Sequence, residues 1–352
     1  MIHFAGLDVS KAKTNICIVD AEGFVVVEAV APTDPAAIAD VLRRAERPIK
    51  RIGLEICGQS SWLCTGLTAA GLPAVCIDPR RAHGVLKAQR NKTDQNDARG
   101  IAELMRIGAY SAVHVKSAES IRTRALLRTR AVLQAKAKDI ANAVRGVLLA
   151  LGLKLSRQRL GGFERCVRAQ AEKEPFALQA VGPLLSAISV LIREKKAAEA
   201  RLVAMARQDP ICRRLMTAPG VGPLTALTYK AAVDDPARFS NSRVVGAHFG
   251  LTPRTVQSGP TVRRGGITGW GDKTVRHLLY LGAQSLFRGG VRSSWLSRWG
   301  AQVKARQGHK RAVVAVARRL AVVLHRMWRT QTDFSWEAPR GQSPAVAPPS
   351  AV

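Results

Sequence analysis

The sequence predicts two parts, an α/β domain at the N-terminus and a longer, mainly helical body behind it. Three observations point there. Hydrophobic residues fill 47% of the 352 positions, enough to bury a core and too many for a globally disordered chain. Apolar residues come in short, strand-like runs through the first hundred positions and at helical spacing through most of the rest. The charge divides at the same place: residues 1–100 hold 13 Lys+Arg against 11 Asp+Glu, a net of +2, and residues 101–352 hold 42 against 14, a net of +28.

Residues 2–9 (IHFAGLDV) and 14–20 (TNICIVD) read as strands, and 23–30 (GFVVVEAV) as a third after the turn at Ala21-Glu22-Gly23. Residues 35–46 have helical periodicity, 51–57 (RIGLEIC) form a fourth strand, 60–70 a helix and 73–77 (PAVCI) a fifth strand. Helices follow over 80–89 and 94–107. Three antiparallel strands and then alternating helix and strand describe an RNase H-like domain.

From 117 to 150 apolar residues recur beneath basic ones, the mark of a long amphipathic helix. A Gly/Arg-rich connection lies around 155–165, and a second helical stretch covers 180–206. An antiparallel coiled coil and an ordinary helical bundle both fit this pair, and either would be a spacer or an oligomerisation arm. Residues 211–232 read as helix, tight turn, helix; 241–305 mix Gly-rich turns with helices; 308–330 form a basic helix. The tail from 336 is Pro-, Ala- and Ser-rich, with the composition of a disordered segment. The expected domains are 1–110 (α/β), 111–208 (helical arm), 209–335 (second functional domain) and 336–352 (tail).

The whole chain carries 55 Lys+Arg against 25 Asp+Glu, a net of +30. Such a surplus calls for a polyanionic partner, and nucleic acid is the first candidate. The six cysteines (Cys17, Cys57, Cys64, Cys76, Cys166, Cys212) form no CxxC pair and no Cys/His cluster, so neither structural zinc nor a disulfide framework is expected. The N-terminus reads as no signal peptide, and no uninterrupted apolar stretch reaches the ~18 residues of a membrane span. The expectation is a cytoplasmic, nucleoid-associated protein with no membrane partner.

Four carboxylates interrupt or flank these elements. Asp8 sits on the first strand, Glu55 near the end of the fourth, and Asp94 and Asp97 at i and i+3 on one face of a helix. A lone carboxylate within an apolar strand is costly unless ligated or paired. In an RNase H-like sheet the first and fourth strands are neighbours, and a following helix crosses their ends. Four hard oxygen donors there suit one or two Mg²⁺ or Mn²⁺ ions that polarise a phosphodiester. Lys92 and Thr93, just before Asp94, serve either phosphate contact or helix capping.

A second constellation lies in the basic body. The turn PGVGPLTA resembles a helix-hairpin-helix, in which Gly220 and Gly222 let backbone amides face a phosphate; a plain turn between packed helices is the alternative. Further on, Ser258 lies between Gln257 and Gly259 in a segment dense with Arg254, Arg263, Arg264 and Arg276. A serine flanked by guanidiniums can attack phosphorus while the cations stabilise the pentacoordinate charge. Chemistry alone leaves this reading open against an ordinary Ser-Gly turn.

Taken together, GLDVSKAK with Asp8, LEICG with Glu55 and NKTDQNDA with Asp94 and Asp97 resemble the DEDD insertion-sequence transposases, relatives of the Piv invertase. The strings LMTAPGVGPLTA, FGLTPR, QSG, RRGGIT, GD and LLYLGA resemble the second domain of that family in order, so the resemblance runs from about residue 3 to 330. It implies a RuvC-like domain, a coiled-coil arm and a transposase domain whose serine becomes joined to DNA as a 5′-phosphoserine. It also implies donor and target DNA as substrates, a structured bridge RNA as guide, and a tetramer built as a dimer of dimers. Carried onto this chain, Asp8, Glu55, Asp94 and Asp97 are the metal-binding acids and Ser258 the nucleophile. One departure is Gly269-Trp270, where the family often has basic residues. A RuvC-like structure-selective endonuclease or a site-specific invertase are the competing readings; the endonuclease needs only the acidic site and leaves no covalent intermediate.

Overall fold

The computed structural model describes residues 2–79, 93–156, 158–172, 174–259, 261–288 and 292–337. The chain divides into two compact units, 1–116 and 117–352.

In the first unit the elements run β1 (His3–Val9), β2 (Lys13–Val19), β3 (Val25–Pro32), α1 (Pro35–Arg44), β4 (Ile49–Glu55), α2 (Ser60–Ala69), β5 (Ala74–Ile77) and α3 (Asp94–Ile107). The sheet order is β3-β2-β1-β4-β5. β1 to β3 are antiparallel, and β4 and β5 run parallel to β1 and to each other. The five expected strands are all present, in the expected RNase H-like arrangement. The third begins two residues late because Asp20 accepts the backbone N–H groups of Glu22, Gly23 and Phe24, which holds those residues in the turn. The expected helix at 80–89 lies outside the described residues.

Alternation splits the sheet into two faces. Leu7, Ile16, Ile18, Ile52 and Leu54 point to α1 and α2, where Ile38, Leu42, Leu63 and Leu67 complete the core. Phe4, Cys17 and Val19 point to the other face, which α3 covers with Ala98, Ile101 and Met105. Gly6 and Gly53 lie directly under α3. At the opposite end of that helix, the Arg51 guanidinium donates to the Arg106 carbonyl at 3.5 Å, and Arg51 sits beside Phe4 in the ladder. The C-terminus of α3 therefore lies over the starts of β1 and β4, and its N-terminus over their ends.

The second unit opens with α4 (Ala118–Ala150), α5 (Leu160–Ala171) and α6 (Pro175–Gln208). Ala141, Val144 and Leu148 near the end of α4 pack with Ala177, Val181, Leu185 and Ile188 near the start of α6. At the other end Arg130 of α4 forms an ion pair with Glu199 of α6, so the two helices run antiparallel, with buried positions spaced by three and four. Two expectations need correction here. The connection around 155–165 is largely helical, because Phe163, Val167 and Ala171 of α5 recur every four residues and bury against the pair. The segment Pro175–Gln208 is also long and apolar enough to cross a membrane by length and composition, although its buried stripe is used against α4 and α5.

The rest of the unit comprises α7 (Pro210–Leu215), α8 (Pro223–Val233), α9 (Val245–His248), the ribbon β6 (Pro253–Ser258) with β7 (Thr261–Ile267), α10 (Lys273–Ser285), α11 (Trp295–Gln307) and α12 (His309–Thr330). One core gathers Tyr229, Phe249, Leu279, Leu296, Leu320 and Leu324. The tail is docked at its start: Trp336 makes an edge contact with Phe334 and lies under the Arg292 guanidinium at 4.5 Å. Residues 338–352 lie outside the description.

Candidate functional site

The acidic constellation is built by the register of β1, β4 and α3. Leu7 of β1 pairs with Leu54 of β4, so the next residues, Asp8 and Glu55, leave adjacent parallel strands at the same end. Two residues beyond Gly6 and Gly53, both point to the face that α3 covers. Both are half-buried. The N-terminus of α3 lies over this end, with Asp94 and Asp97 in its first turn. Thr93 is the cap, accepting the Asn96 N–H at 3.2 Å, which leaves the two aspartates at the positive end of the helix dipole. The four carboxylates thus share one end and one face of the sheet, Asp94 exposed and Asp97 half-buried.

By donor chemistry this set fits a hard divalent cation. Among the described residues, however, no group of three or more His, Cys, Asp or Glu side chains is drawn close enough to hold a metal ion. Lys92 lies outside the described residues.

Ser258 is not in a turn between helices, as the Gly-rich text suggests, but at the end of β6, paired with Thr261 across the hairpin tip. Gly259 follows with φ of +57°, a conformation that turns the chain at low cost for glycine. Every residue of β6 is exposed. By alternation Ser258 shares its face with Val256, which pairs with Arg263, so the Arg263 guanidinium belongs to the serine's own face; the register shifts between Pro253 and Thr255, which leaves Arg254 at the irregular step of the ribbon. The side chain of Arg264 lies outside the description.

Arg276 is used otherwise than expected. Its guanidinium donates to the Phe249 carbonyl at 3.0 Å and the Trp270 carbonyl at 2.7 Å, clamping the two backbone segments at the foot of the ribbon. These segments touch so closely that a Cβ on Gly250 would lie 2.2 Å from the Trp270 carbonyl oxygen, and one on Gly271 2.1 Å from that of His248. Asp272 caps α10 through the Thr274 and Val275 N–H groups and accepts from Arg124 of α4 at 2.7 Å. Burial pushes its carboxyl up, but the Arg124 bond and the cap outweigh that and hold it below the usual range. Asp272 and Arg124 escaped the sequence reading; the Gly-Asp step was their only signal.

The turn at Gly220 also differs from expectation. A Cβ there would lie 2.4 Å from the Gly282 carbonyl oxygen, so this glycine, at φ of +78°, lets the turn touch α10 rather than opening toward a phosphate. Gly222 caps α8, with open space where a Cβ would stand.

A model of the Transposase IS116/IS110/IS902 family matches residues 212–295, which carry the ribbon, and a model of DEDD-type IS110 transposases matches 5–152, which carry the four carboxylates. The transposase for insertion sequence element IS1111A of Coxiella burnetii is 28% identical over 339 residues, covering 95% of this chain and 91% of its own. The probable family 20 transposase of Pseudomonas aeruginosa is 28% identical over 337 residues, covering 94% of this chain and 97% of its own. The Thermus thermophilus RuvC structure aligns over 32% of this chain and 99% of its own, at 15% identity and a TM-score of 0.26. With the acidic site and the serine ribbon each inside a matching family model, and with relatives aligned along nearly the full length, the chain belongs to the IS110-type DEDD family of insertion-sequence transposases.

Proposed function

We propose that this transposase excises and inserts an insertion sequence through a covalent 5′-phosphoserine link formed by Ser258, directed by a structured bridge RNA. The observation that carries the reading is the ribbon: Ser258 stands exposed beside its tip, with Arg263 on its own face and Arg254 four residues before it on the same exposed strand. In the cleavage step the bond from the serine Oγ to phosphorus forms and the bond from phosphorus to the 3′ oxygen breaks. The serine's proton ends on the departing 3′ oxygen. Phosphodiester energy is retained in the link, so an incoming 3′-hydroxyl can reverse the step and release the serine without a nucleotide cofactor. The guanidiniums stabilise the charge that builds on the pentacoordinate phosphorus.

A serine hydroxyl is a poor nucleophile unaided, and neighbouring Gln257 and Gly259 offer no base. Asp8, Glu55, Asp94 and Asp97 would hold Mg²⁺ or Mn²⁺, which when bound supplies polarisation of a phosphodiester oxygen. The net +28 of residues 101–352 supports donor DNA, target DNA and guide RNA as partners. Exposed Ile121, Leu126, Val132, Val147, Leu149, Phe176 and Val190 along α4 and α6 support self-association, with a tetramer as the working assembly.

The reading is tested by incubating the protein with DNA of the element ends, denaturing it, and looking for protein-linked DNA. Wild type is expected to form the adduct and Ser258→Ala none; an adduct that persists in the variant removes Ser258 as nucleophile. Light scattering that returns a monomer both free and with nucleic acid removes the oligomer.

A further inference from the structure

Next to the carboxylates the sheet opens into a cavity of about 250 Å³, lined by Asn15, Cys17, Glu28, Val30, Gln95 and Ala98 among others. Its position follows from the ladder. Asp8 pairs with Asn15, and Asn15 with Val30; one row back, Gly6 pairs with Cys17, and Cys17 with Glu28. Residues paired across neighbouring strands point to the same face, so Asn15, Cys17, Glu28 and Val30 form a floor on the α3 side, continuous with Asp8. Gln95, between Asp94 and Asp97, and Ala98, one turn on, make the wall. The cavity is thus an extension of the acidic end toward the β3 edge.

Its chemistry is selective. Among the described lining residues none is a lysine or arginine, and the neighbouring Arg99 is paired with Glu28, so the described lining offers a phosphate no cation of its own. The one carboxylate, Glu28, is engaged by Arg99 at 2.9 Å. Burial, and then the charge of Glu28, push the Cys17 thiol up to about 11 against the opposing influence of Arg99, so the thiol is neutral and Glu28 is balanced by its ion pair. What remains are two carboxamides, Asn15 and Gln95, which carry both donors and acceptors and match the paired donor–acceptor edge of a nucleobase.

We infer that this cavity is a nucleobase subsite: it takes the base of the nucleotide next to the phosphodiester held at the carboxylates, and Asn15 and Gln95 read its edge. The inference rests on the acids acting on a phosphodiester. It makes Asn15 and Gln95 specificity-determining residues, and it gives the protein a base preference of its own, separate from any guide.

The test uses the full chain and the four deoxynucleoside 5′-monophosphates, with binding followed by saturation-transfer NMR in Mg²⁺. A base-reading subsite favours one of the four by on the order of ten-fold, whereas attraction to the basic surface alone favours none. Asn15→Ala and Gln95→Ala should each level the preference without shifting the melting temperature; Gln95 is solvent-exposed, so its truncation keeps the test independent of folding. Asp8→Asn should abolish the Mg²⁺ dependence yet keep the base preference. Equal binding of the four, binding of none, or a preference that survives both carboxamide truncations overturns the subsite. Mg²⁺ dependence that survives Asp8→Asn overturns the acidic site instead.

Discussion

Gly6 on β1 and Ala98 on α3 approach so closely that a Cβ on Gly6 would lie 2.1 Å from the Ala98 carbonyl oxygen. The obstacle is helix backbone, which has no rotamer to give. Gly6→Val should therefore lift α3 off the sheet, moving Asp94 and Asp97 away from Asp8 and Glu55. Since overpacking that cannot relax lies at or beyond the upper end of its usual range, a loss of about 3 kcal/mol or more is expected in urea unfolding. An unchanged midpoint would mean that the helix is free to shift.

The acids are expected to work with Ser258 rather than to cut alone. Asp97→Asn keeps the shape of the side chain and removes its charge, so the covalent adduct should disappear while nucleic-acid binding stays. Denaturing electrophoresis of the reaction decides it. A normal adduct yield in Asp97→Asn would give the acids another role.

Affinity for nucleic acid should be dominated by phosphate contacts from residues 101–330. Releasing the counterions of about six phosphates costs on the order of a thousand-fold in affinity between about 50 and 200 mM salt. Fluorescence anisotropy with labelled duplex DNA measures the slope, and a flat response would show that the positive charge is not what binds.

His325 is fully buried; its ring nitrogens bond to the Ser242 hydroxyl at 2.9 Å and the Pro236 carbonyl at 3.0 Å. Burial, reinforced by the nearby Arg329 and Arg238, holds its imidazole below the ordinary 6.5, against the opposing bond to Pro236. The unfolded chain therefore takes up the proton first. Stability from this group is complete above pH 6.5 and falls as the pH drops below it, by at most about 1.4 kcal/mol per unit. Thermal melts should show this acid loss, and His325→Gln should flatten it; an unaltered pH profile in that variant would place the titration elsewhere.

The α/β unit was legible in the sequence because its strands bury at least one face, so that HFAGLDV, TNICIVD and RIGLEIC carry a visible pattern. The helix over 94–107 was legible from its cap and its periodic Ala98, Ile101, Ala102 and Met105. The ribbon was not: PRTVQS is exposed on both faces, leaving no buried set to alternate. Helix α5 was hidden by Gly161 and Gly162 in its first turn, which read as a break although Phe163, Val167 and Ala171 follow at the right spacing. Arg276 looked like one more free cation, since nothing in a linear string says that two carbonyls will converge on it. The carboxylates were found by residue type and order; their shared face came only with the parity of Gly6 and Gly53.

The ribbon that bears Ser258 is gripped at its foot by Arg276 and closely packed glycines, and every residue of its first strand is exposed. A two-stranded ribbon without a buried face has little stability of its own, so its outer pairs take their order from whatever they hold. On the proposed reading reactivity would then be conditional: the Ser258 hydroxyl would be aimed only when a nucleic-acid backbone lies along the ribbon. An unengaged molecule would then carry a blunt weapon, and assembly on nucleic acid would be the step that licenses cutting.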